Sequence, residues 1–235
     1  MIKKSFAVIG LGRFGTKLVE ELSKMGLDVI AIDSNKEAIE RVRNIASESL
    51  ILDAINREAL EKSGVKEVDC VVVGIGKNME GSILTTTLLK EIGAKEIIAR
   101  AESPLHAKIL RGVGADRVVF PEEDMAVRLA HAIHFHGVQE YVDIDGPWDL
   151  AELKISKTNK LVGKKILEVR NGLVEEINVL MVEREKGKVF NHNIDQEREE
   201  RENILPKDDY IIREDDILIL FGRPENLEKF IEKIS

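Results

Sequence analysis

The sequence predicts an α/β protein in which a doubly wound parallel sheet of six strands precedes a small α+β domain. Two observations lead to this prediction. Between residues 6 and 120, short β-branched runs alternate with amphipathic helix patterns at the spacing of strand–helix–strand units. Such alternation is typical of a parallel sheet that is covered by helices on both faces. After residue 137 the pattern changes to apolar residues that alternate with polar ones, which indicates half-buried strands.

The six predicted strands share short, continuous apolar sequences. They are Phe6–Ile9, Val29–Ile32, Leu50–Leu52, Cys70–Val73, Ile97–Ala99 and Val118–Phe120. Helix patterns fill the intervals between them. The first helix ends at Gly26, Asn56 is expected to cap another, and Ser103-Pro104 begins a third. A further helix is expected to bury an apolar face made of Ile83, Leu84, Leu88 and Ile92.

We predict a domain boundary between residues 137 and 138. The helix before it, Met125–Phe135, is apolar over more than half of its circumference and is expected to pack outside its own domain. The charged segment Glu183–Asp209 is interpreted as an exposed hairpin or loop. The second domain is built from three predicted strands and a closing helix: Ala151–Ile155, Val179–Val182, Ile217–Phe221 and Leu227–Ile234.

Composition argues against several classes of protein. The net charge of −8 and the 4% share of aromatic residues disfavour nucleic acid as a partner. The single cysteine, Cys70, cannot form an internal disulfide, which suits a reducing cytoplasm. No apolar stretch reaches the length of about 18 residues that a membrane span needs, so a role at the membrane requires a partner.

The most specific motif is the segment Gly10-Leu11-Gly12-Arg13-Phe14-Gly15. It follows the first predicted strand and opens the first helix, which is the context of a dinucleotide-binding loop in a Rossmann-like sheet. Gly10 permits the tight turn, Gly12 lets phosphate approach the backbone, and Gly15 allows close packing of helix on strand. The helix N-terminus supplies N–H groups to the phosphates. We therefore predict that Gly10, Gly12, Arg13, Phe14 and Gly15 bind a nucleotide cofactor.

Asp33 is predicted to bind the ribose of that nucleotide. It ends the second strand, where a carboxylate accepts hydrogen bonds from both adenosine ribose hydroxyls. Ser34 and Asn35 follow it in place of an arginine, which disfavours a 2′-phosphate.

Three further residues, Asp53, Gly74 and Arg100, are assigned to the predicted site, and both Arg13 and Asp53 have a second interpretation. The Arg13 guanidinium either pairs with an outer phosphate or is a solvated helix residue. Asp53 is explained equally well by a place at the adenine edge and by a helix start. Gly74, which ends the fourth strand, lets the chain pass close to the ligand. Arg100 ends the fifth strand at the same edge of the sheet.

The sequence predicts no catalytic residue. His131, His134 and His136 lie at the end of an apolar helix and are interpreted as a helix-end cluster in preference to a metal site. His192 lies in the charged segment. The alternative function is that of an NAD-dependent oxidoreductase with a small substrate domain. Such an enzyme needs an acid/base group at the nicotinamide, and the sequence offers none. A nucleotide-responsive transcriptional regulator is disfavoured, because no helix-turn-helix remains and the charge is acidic.

Several motifs together resemble the RCK family, the regulators of K⁺ conductance, and in particular its KtrA-type cytosolic subunits of potassium uptake systems. The resemblance rests on the Gly10–Gly15 segment, on Asp33, and on the segments Gly114–Val119 and Pro121–Met125. In the second domain, Ile211–Gly222 resembles a TrkA-C module. The presence of one such pair of domains favours the KtrA type over the duplicated TrkA type.

The resemblance implies a regulatory protein and not an enzyme. Homodimers would assemble into an octameric ring at the inner face of the cell membrane, beneath an integral-membrane potassium channel subunit. Bound ATP or ADP, with NAD(H) as another candidate, would control the pore. Some family members also bind cyclic di-AMP in the C-terminal domain.

The resemblance also assigns two residue roles. Arg13 would reach the terminal phosphate from the neighbouring subunit, and Glu122 would help to hold Mg²⁺ or Ca²⁺ between paired nucleotides. On the residues alone, Glu122, Glu123 and Asp124 are also explained as acids that stabilise a helix N-terminus.

Overall fold

The computed structural model describes residues 4–135, 137–144, 146–172, 176–191 and 196–234. The chain divides into two compact units, Met1–Glu122 and Glu123–Ser235. The domain boundary at residues 137/138 stays a prediction. His136 and His192 lie outside the described residues.

The first unit is built around a six-stranded parallel sheet in the order β3-β2-β1-β4-β5-β6. The order reverses beside β1, so the carboxyl ends of β1 and β4 meet at the point where open α/β sheets bind ligands. The elements of this unit are β1 (Ser5–Ile9), α1 (Arg13–Lys24), β2 (Asp28–Asp33), α2 (Lys36–Val42), β3 (Glu48–Ile51), α3 (Arg57–Glu61), β4 (Cys70–Val73), α4 (Met79–Ile92), β5 (Ile97–Arg100), α5 (Pro104–Gly112), β6 (Arg117–Val119) and the start of α6 (Pro121–His134).

Apolar clusters cover both faces of this sheet, because successive strand residues point to opposite sides. In β1, Ala7 and Ile9 join the cluster that contains Leu89 and Leu110, whereas Val8 joins the cluster that contains Val19. The predicted doubly wound sheet of six strands is confirmed.

The predicted apolar face of α4 is confirmed in part. Ile83, Leu88 and Ile92 are partly buried and pack against the core, whereas Leu84 is 42% exposed. The fully buried residues of this helix are Gly81, Ser82, Thr85, Thr86 and Leu89. Of the three buried hydroxyls, that of Thr86 bonds to the preceding turn, because its Oγ1 donates to the Ser82 carbonyl at 2.8 Å.

The second unit contains a five-stranded antiparallel sheet in the order β10-β9-β11-β8-β7. The predicted exposed hairpin is formed by β9 and β10. β7 was not predicted, because a register shift between Val138 and Glu140 interrupts its alternation of apolar and polar residues. The elements of this unit are the rest of α6, β7 (Val138–Asp143), β8 (Asp149–Lys154), α7 (Ile166–Gly172), β9 (Asn178–Asn191), β10 (Gln196–Ile204), β11 (Ile217–Gly222) and α8 (Pro224–Ile234).

Helix α6 has an unusual distribution of apolar residues. It begins in the first unit, continues in the second, and none of its residues is buried. Four of its large apolar side chains are exposed: Met125, Val127, Leu129 and Ile133, the last by 75%. Among the described residues, no helix has the length and apolar content to cross a membrane.

Candidate nucleotide-binding site

A cavity of about 1000 Å³ lies at the carboxyl ends of the parallel strands, entirely within the first unit. Its volume is at the upper end of the range for pockets that enclose small molecules. Of the predicted site residues, the structure brings Gly10, Gly12, Arg13, Phe14, Asp33, Asp53, Gly74, Arg100 and Glu122 to the wall of this cavity. Gly15 is buried behind the wall.

The glycine loop has the geometry that its sequence predicts. Gly10 adopts a φ of +91°, and a Cβ there would lie 2.8 Å from the backbone nitrogen of Ile75. A Cβ on Gly15 would lie 2.0 Å from the Gly10 carbonyl oxygen. By contrast, no described heavy atom lies within 4 Å of a Cβ on Gly12, so the backbone is open to the cavity at that residue.

The N-terminus of α1 faces the same cavity. The helix begins at Arg13, and its N-cap residue Gly12 supplies no side-chain hydrogen bond. The first backbone N–H groups of a helix have no partner within the helix, and the first turn of α1 contains no acidic residue. This end of α1 therefore favours an anion, and the exposed side chain of Arg13 adds a positive charge.

Asp33 holds the glycine loop as well as lining the cavity. Its Oδ2 accepts a hydrogen bond from the backbone N–H of Leu11 at 2.6 Å, and its Oδ1 accepts one from Asn35 at 2.8 Å. Each carboxylate oxygen has a second lone pair, so ribose hydroxyls can still donate to this group. The carboxylate thus connects the end of β2 to the turn after β1.

Replacement of Asp33 by alanine is therefore expected to affect both stability and binding. The loss of two bonds from backbone N–H groups to a carboxylate should lower the free energy of unfolding by about 1–3 kcal/mol. Affinity for adenosine, ADP and ATP should fall together, because all three carry the ribose. Thermal melts and calorimetric titrations measure the two effects. Asp116→Ala is the matched control, because Asp116 Oδ2 accepts a hydrogen bond from the Ile97 backbone N–H at 2.8 Å outside the cavity, so its loss should lower stability without lowering affinity. Wild-type affinity in an Asp33→Ala protein that melts normally would contradict the prediction.

Asp53 does not begin a helix. Its Oδ1 accepts a hydrogen bond from the backbone N–H of Ile55 at 3.2 Å, and the side chain is exposed at the cavity wall. The cap of α3 is Asn56, whose Oδ1 accepts from the N–H of Ala59 at 3.1 Å. The helix-start interpretation of Asp53 is thus wrong, and its place at the adenine edge stays a prediction.

Arg100 and Glu122 form an ion pair at one side of the cavity. Arg100 Nη2 donates to Glu122 Oε1 at 2.7 Å, and Nε donates to Oε2 at 3.3 Å. A second carboxylate, that of Glu102, lies 3.6 Å from Nη2. The guanidinium covers the backbone of Gly76, where a Cβ would lie 2.3 Å from Nη1. Both Arg100 and Glu122 were predicted at the site, but their pairing was not.

Several residues of the cavity wall were not predicted from the sequence. Among them are Lys77, Asn78, Gly81, Thr85 and Glu102. Asn78 caps α4 and accepts a hydrogen bond from the Gly81 N–H at 2.9 Å, and an asparagine before a helix pattern is the signal that could have located it. Thr85 is fully buried, and its hydroxyl has no hydrogen-bond partner within the described part of the chain.

Comparison with known proteins gives the family. The model of the TrkA-N domain matches residues 6–121, and that of the TrkA-C domain matches residues 150–235. The Ktr system potassium uptake protein C of Bacillus subtilis (strain 168) is 34% identical over 99% of this chain and 98% of its own length. The chain belongs to the Ktr family of potassium uptake proteins. Ktr system potassium uptake protein A of the same organism is 33% identical over 97% of the chain and 95% of its own length.

Solved structures show the same fold. The GsuK channel has a TM-score of 0.65 and 16% identity, and the GsuK channel bound to NAD has a TM-score of 0.63 and 17% identity. Both cover 99% of this chain, which spans 40% of each of those channel chains. The predicted resemblance to KtrA-type proteins and the two-part fold of this Ktr-family chain are confirmed.

Proposed function

We propose that this Ktr-family protein is an adenine-nucleotide-binding regulatory subunit that gates an integral-membrane potassium channel. The observation that carries the proposal is the cavity in which the α1 N-terminus, Arg13 and Asp33 converge. An anion-binding helix end beside a ribose-binding carboxylate suits a nucleotide. The similarity to two potassium uptake proteins of B. subtilis supplies the link to potassium. The nucleotide is ATP or ADP, with NAD(H) as the further candidate, since one structural neighbour is a channel bound to NAD.

We also propose the assembly in which this subunit acts. Homodimers form an octameric ring at the cytoplasmic face of the membrane, below the channel subunit, and nucleic acid is not a partner. The exposed apolar side chains of α6 support a contact between subunits. Binding of cyclic di-AMP to the C-terminal domain is proposed from the family resemblance.

A divalent cation at Glu122 stays a prediction. The described residues of one chain do not provide a complete set of metal ligands. Both oxygens of this carboxylate accept hydrogen bonds from Arg100. Among the described residues, no group of three or more His, Cys, Asp or Glu side chains is placed to hold a metal ion. Beyond Glu122, Mg²⁺ or Ca²⁺ would therefore need oxygen ligands other than the described side chains, such as nucleotide phosphates, and no step of the proposed function depends on either ion.

The experiment that tests the proposed function is a titration of the purified protein with ATP, ADP and NADH. We expect ATP and ADP to bind and NADH to remain unoxidised when it is incubated with candidate carbonyl substrates. The alternative function, an NAD-dependent oxidoreductase, predicts consumption of NADH. Absence of binding by all three nucleotides would overturn the proposal.

Arg13→Ala should weaken the binding of ATP by about 1.5–3 kcal/mol, the range for hydrogen bonds to charged groups. The effect on NADH should be smaller, because the backbone of the glycine loop already binds two phosphates and NADH has no third. Calorimetric titration of both ligands measures the difference. Arg43→Ala, which removes an exposed arginine outside the cavity, is the control. Equal losses for ATP and NADH would show that Arg13 does not recognise the outer phosphate.

A further inference from the structure

The Arg100–Glu122 ion pair is asymmetric in its exposure. The Arg100 side chain is 17% exposed, whereas that of Glu122 is 66% exposed. Arg100 is held over the backbone of Gly76 and lies 3.6 Å from the Glu102 carboxylate, and the backbone N–H of Glu102 donates to Nδ1 of the buried His106 at 3.4 Å. The cation thus has a fixed position in the cavity wall, while its principal anion faces solvent.

The hydrogen-bonding capacity of the Arg100 guanidinium is also directed to one side. Nε and Nη2 form the edge of the guanidinium that binds a carboxylate or a phosphate through two parallel bonds, and both donate to Glu122. A cavity anion can bind this edge only in the place that Glu122 occupies. An exposed carboxylate is readily replaced there, since ion pairs of this kind contribute little free energy.

We infer that a phosphate group of the bound nucleotide replaces Glu122 on the guanidinium of Arg100, so that ligand binding releases the first turn of α6. This inference rests on the proposed function. Phosphate carries more negative charge than a carboxylate and presents the same paired oxygens to the guanidinium edge. Arg100 and the N-terminus of α1 line the same cavity, so one polyphosphate has access to both.

The exchange links occupancy of the cavity to a particular helix. Glu122 is the second residue of α6 and the last residue of the first compact unit. Release of this side chain changes the contacts at the start of the helix that carries the exposed apolar residues Leu129 and Ile133. A ligand shifts a conformational equilibrium only through a difference in its interactions with the two states, and competition for Arg100 supplies such a difference.

The first test measures ADP affinity by calorimetry in the presence of EDTA, which excludes any contribution of divalent cations. Glu122→Gln should bind ADP about two- to fivefold more tightly than the wild type, the factor that corresponds to an exposed ion pair. Arg100→Gln should bind ADP about tenfold or more weakly, because a charged hydrogen-bonding partner of the phosphate is lost. Glu102→Gln is the matched control, and its longer contact with Arg100 predicts a smaller change than that of Glu122→Gln.

A double variant separates exchange on Arg100 from general charge repulsion. If Glu122 competes for Arg100, Glu122→Gln has no effect on ADP affinity in the Arg100→Gln background. If it merely repels the ligand, the gain persists there, and this result would overturn the inference. Unchanged or weakened ADP binding by Glu122→Gln in EDTA would also overturn it.

Hydrogen exchange gives an independent measurement. ADP should accelerate exchange of the amides of Met125–Arg128 in the wild type, because these N–H groups bond to the carbonyls of the first turn of α6, whereas the Glu122→Gln protein should show no such acceleration. If the wild-type protein binds ADP but shows no such acceleration, the replacement of Glu122 by phosphate is refuted and the proposed function remains intact. A wild-type protein that binds no nucleotide refutes both.

Discussion

Gly15→Ala should lower the free energy of unfolding by about 3 kcal/mol, at the upper end of the range for overpacking substitutions. The physical reason is a backbone contact, because the new Cβ would lie 2.0 Å from the Gly10 carbonyl oxygen and 3.0 Å from its carbon. Neither α1 nor the turn after β1 can move away independently, since Gly10 N–H donates to the Ile32 carbonyl at 2.8 Å. A melting temperature lower by roughly 10 °C would correspond to this loss.

The control for Gly15→Ala is a second helical glycine with open surroundings. Gly112 ends α5, and no described heavy atom lies within 4 Å of the position of its Cβ. Gly112→Ala should leave the stability unchanged or raise it by up to about 1 kcal/mol, because alanine is the better helix former. If both variants have the melting temperature of the wild type, the close packing of α1 on β1 does not restrict residue 15.

Ile133→Asp should shift the protein from dimers or larger assemblies toward monomers. Ile133 is 75% exposed within the chain, on a helix without buried residues, and we expect a second subunit to cover it. A carboxylate buried in such a contact without a partner costs several kcal/mol, about enough to reduce association more than a hundredfold. Analytical ultracentrifugation at micromolar concentration measures the distribution of species.

The matched control for Ile133→Asp is Met25→Asp. Met25 is 71% exposed and follows α1, away from the apolar residues of α6 along the chain. We expect this variant to sediment as the wild type does. A wild-type protein that is monomeric at every accessible concentration would refute both the α6 contact and the proposed ring.

The glycine loop and the strands around it were predictable from the sequence for a local reason. A turn that requires a positive φ at Gly10 accepts few residues other than glycine, so the requirement is visible in the sequence. Continuous apolar runs such as Cys70–Val73, which is buried throughout, likewise reflect burial on both faces of a parallel sheet. The alternation of these runs with helices then determines the order and direction of the strands.

The buried face of α4 was not predictable from apolar residues alone. Ile83, Leu88 and Ile92 pack against the core as the apolar pattern predicts. Thr85 and Thr86, however, are fully buried, while Leu84 is 42% exposed. Which face of a helix packs on a sheet depends on how closely the two backbones approach. That distance is a property of the packed domain and not of the fourteen-residue segment itself.

The sequence by itself determined the two-part fold, the nucleotide loop and part of the set of residues at the carboxyl edge of the sheet, because each depends on local conformation or on the periodicity of single elements. Only the tertiary structure decided which of those residues form hydrogen bonds and ion pairs with one another. Asp33 binds the backbone of Leu11, and Arg100 binds Glu122, each pair across 22 residues of chain. Such hydrogen bonds require side chains and backbone groups to be placed within a few tenths of an ångström, and only the packing of separate strands and helices places them.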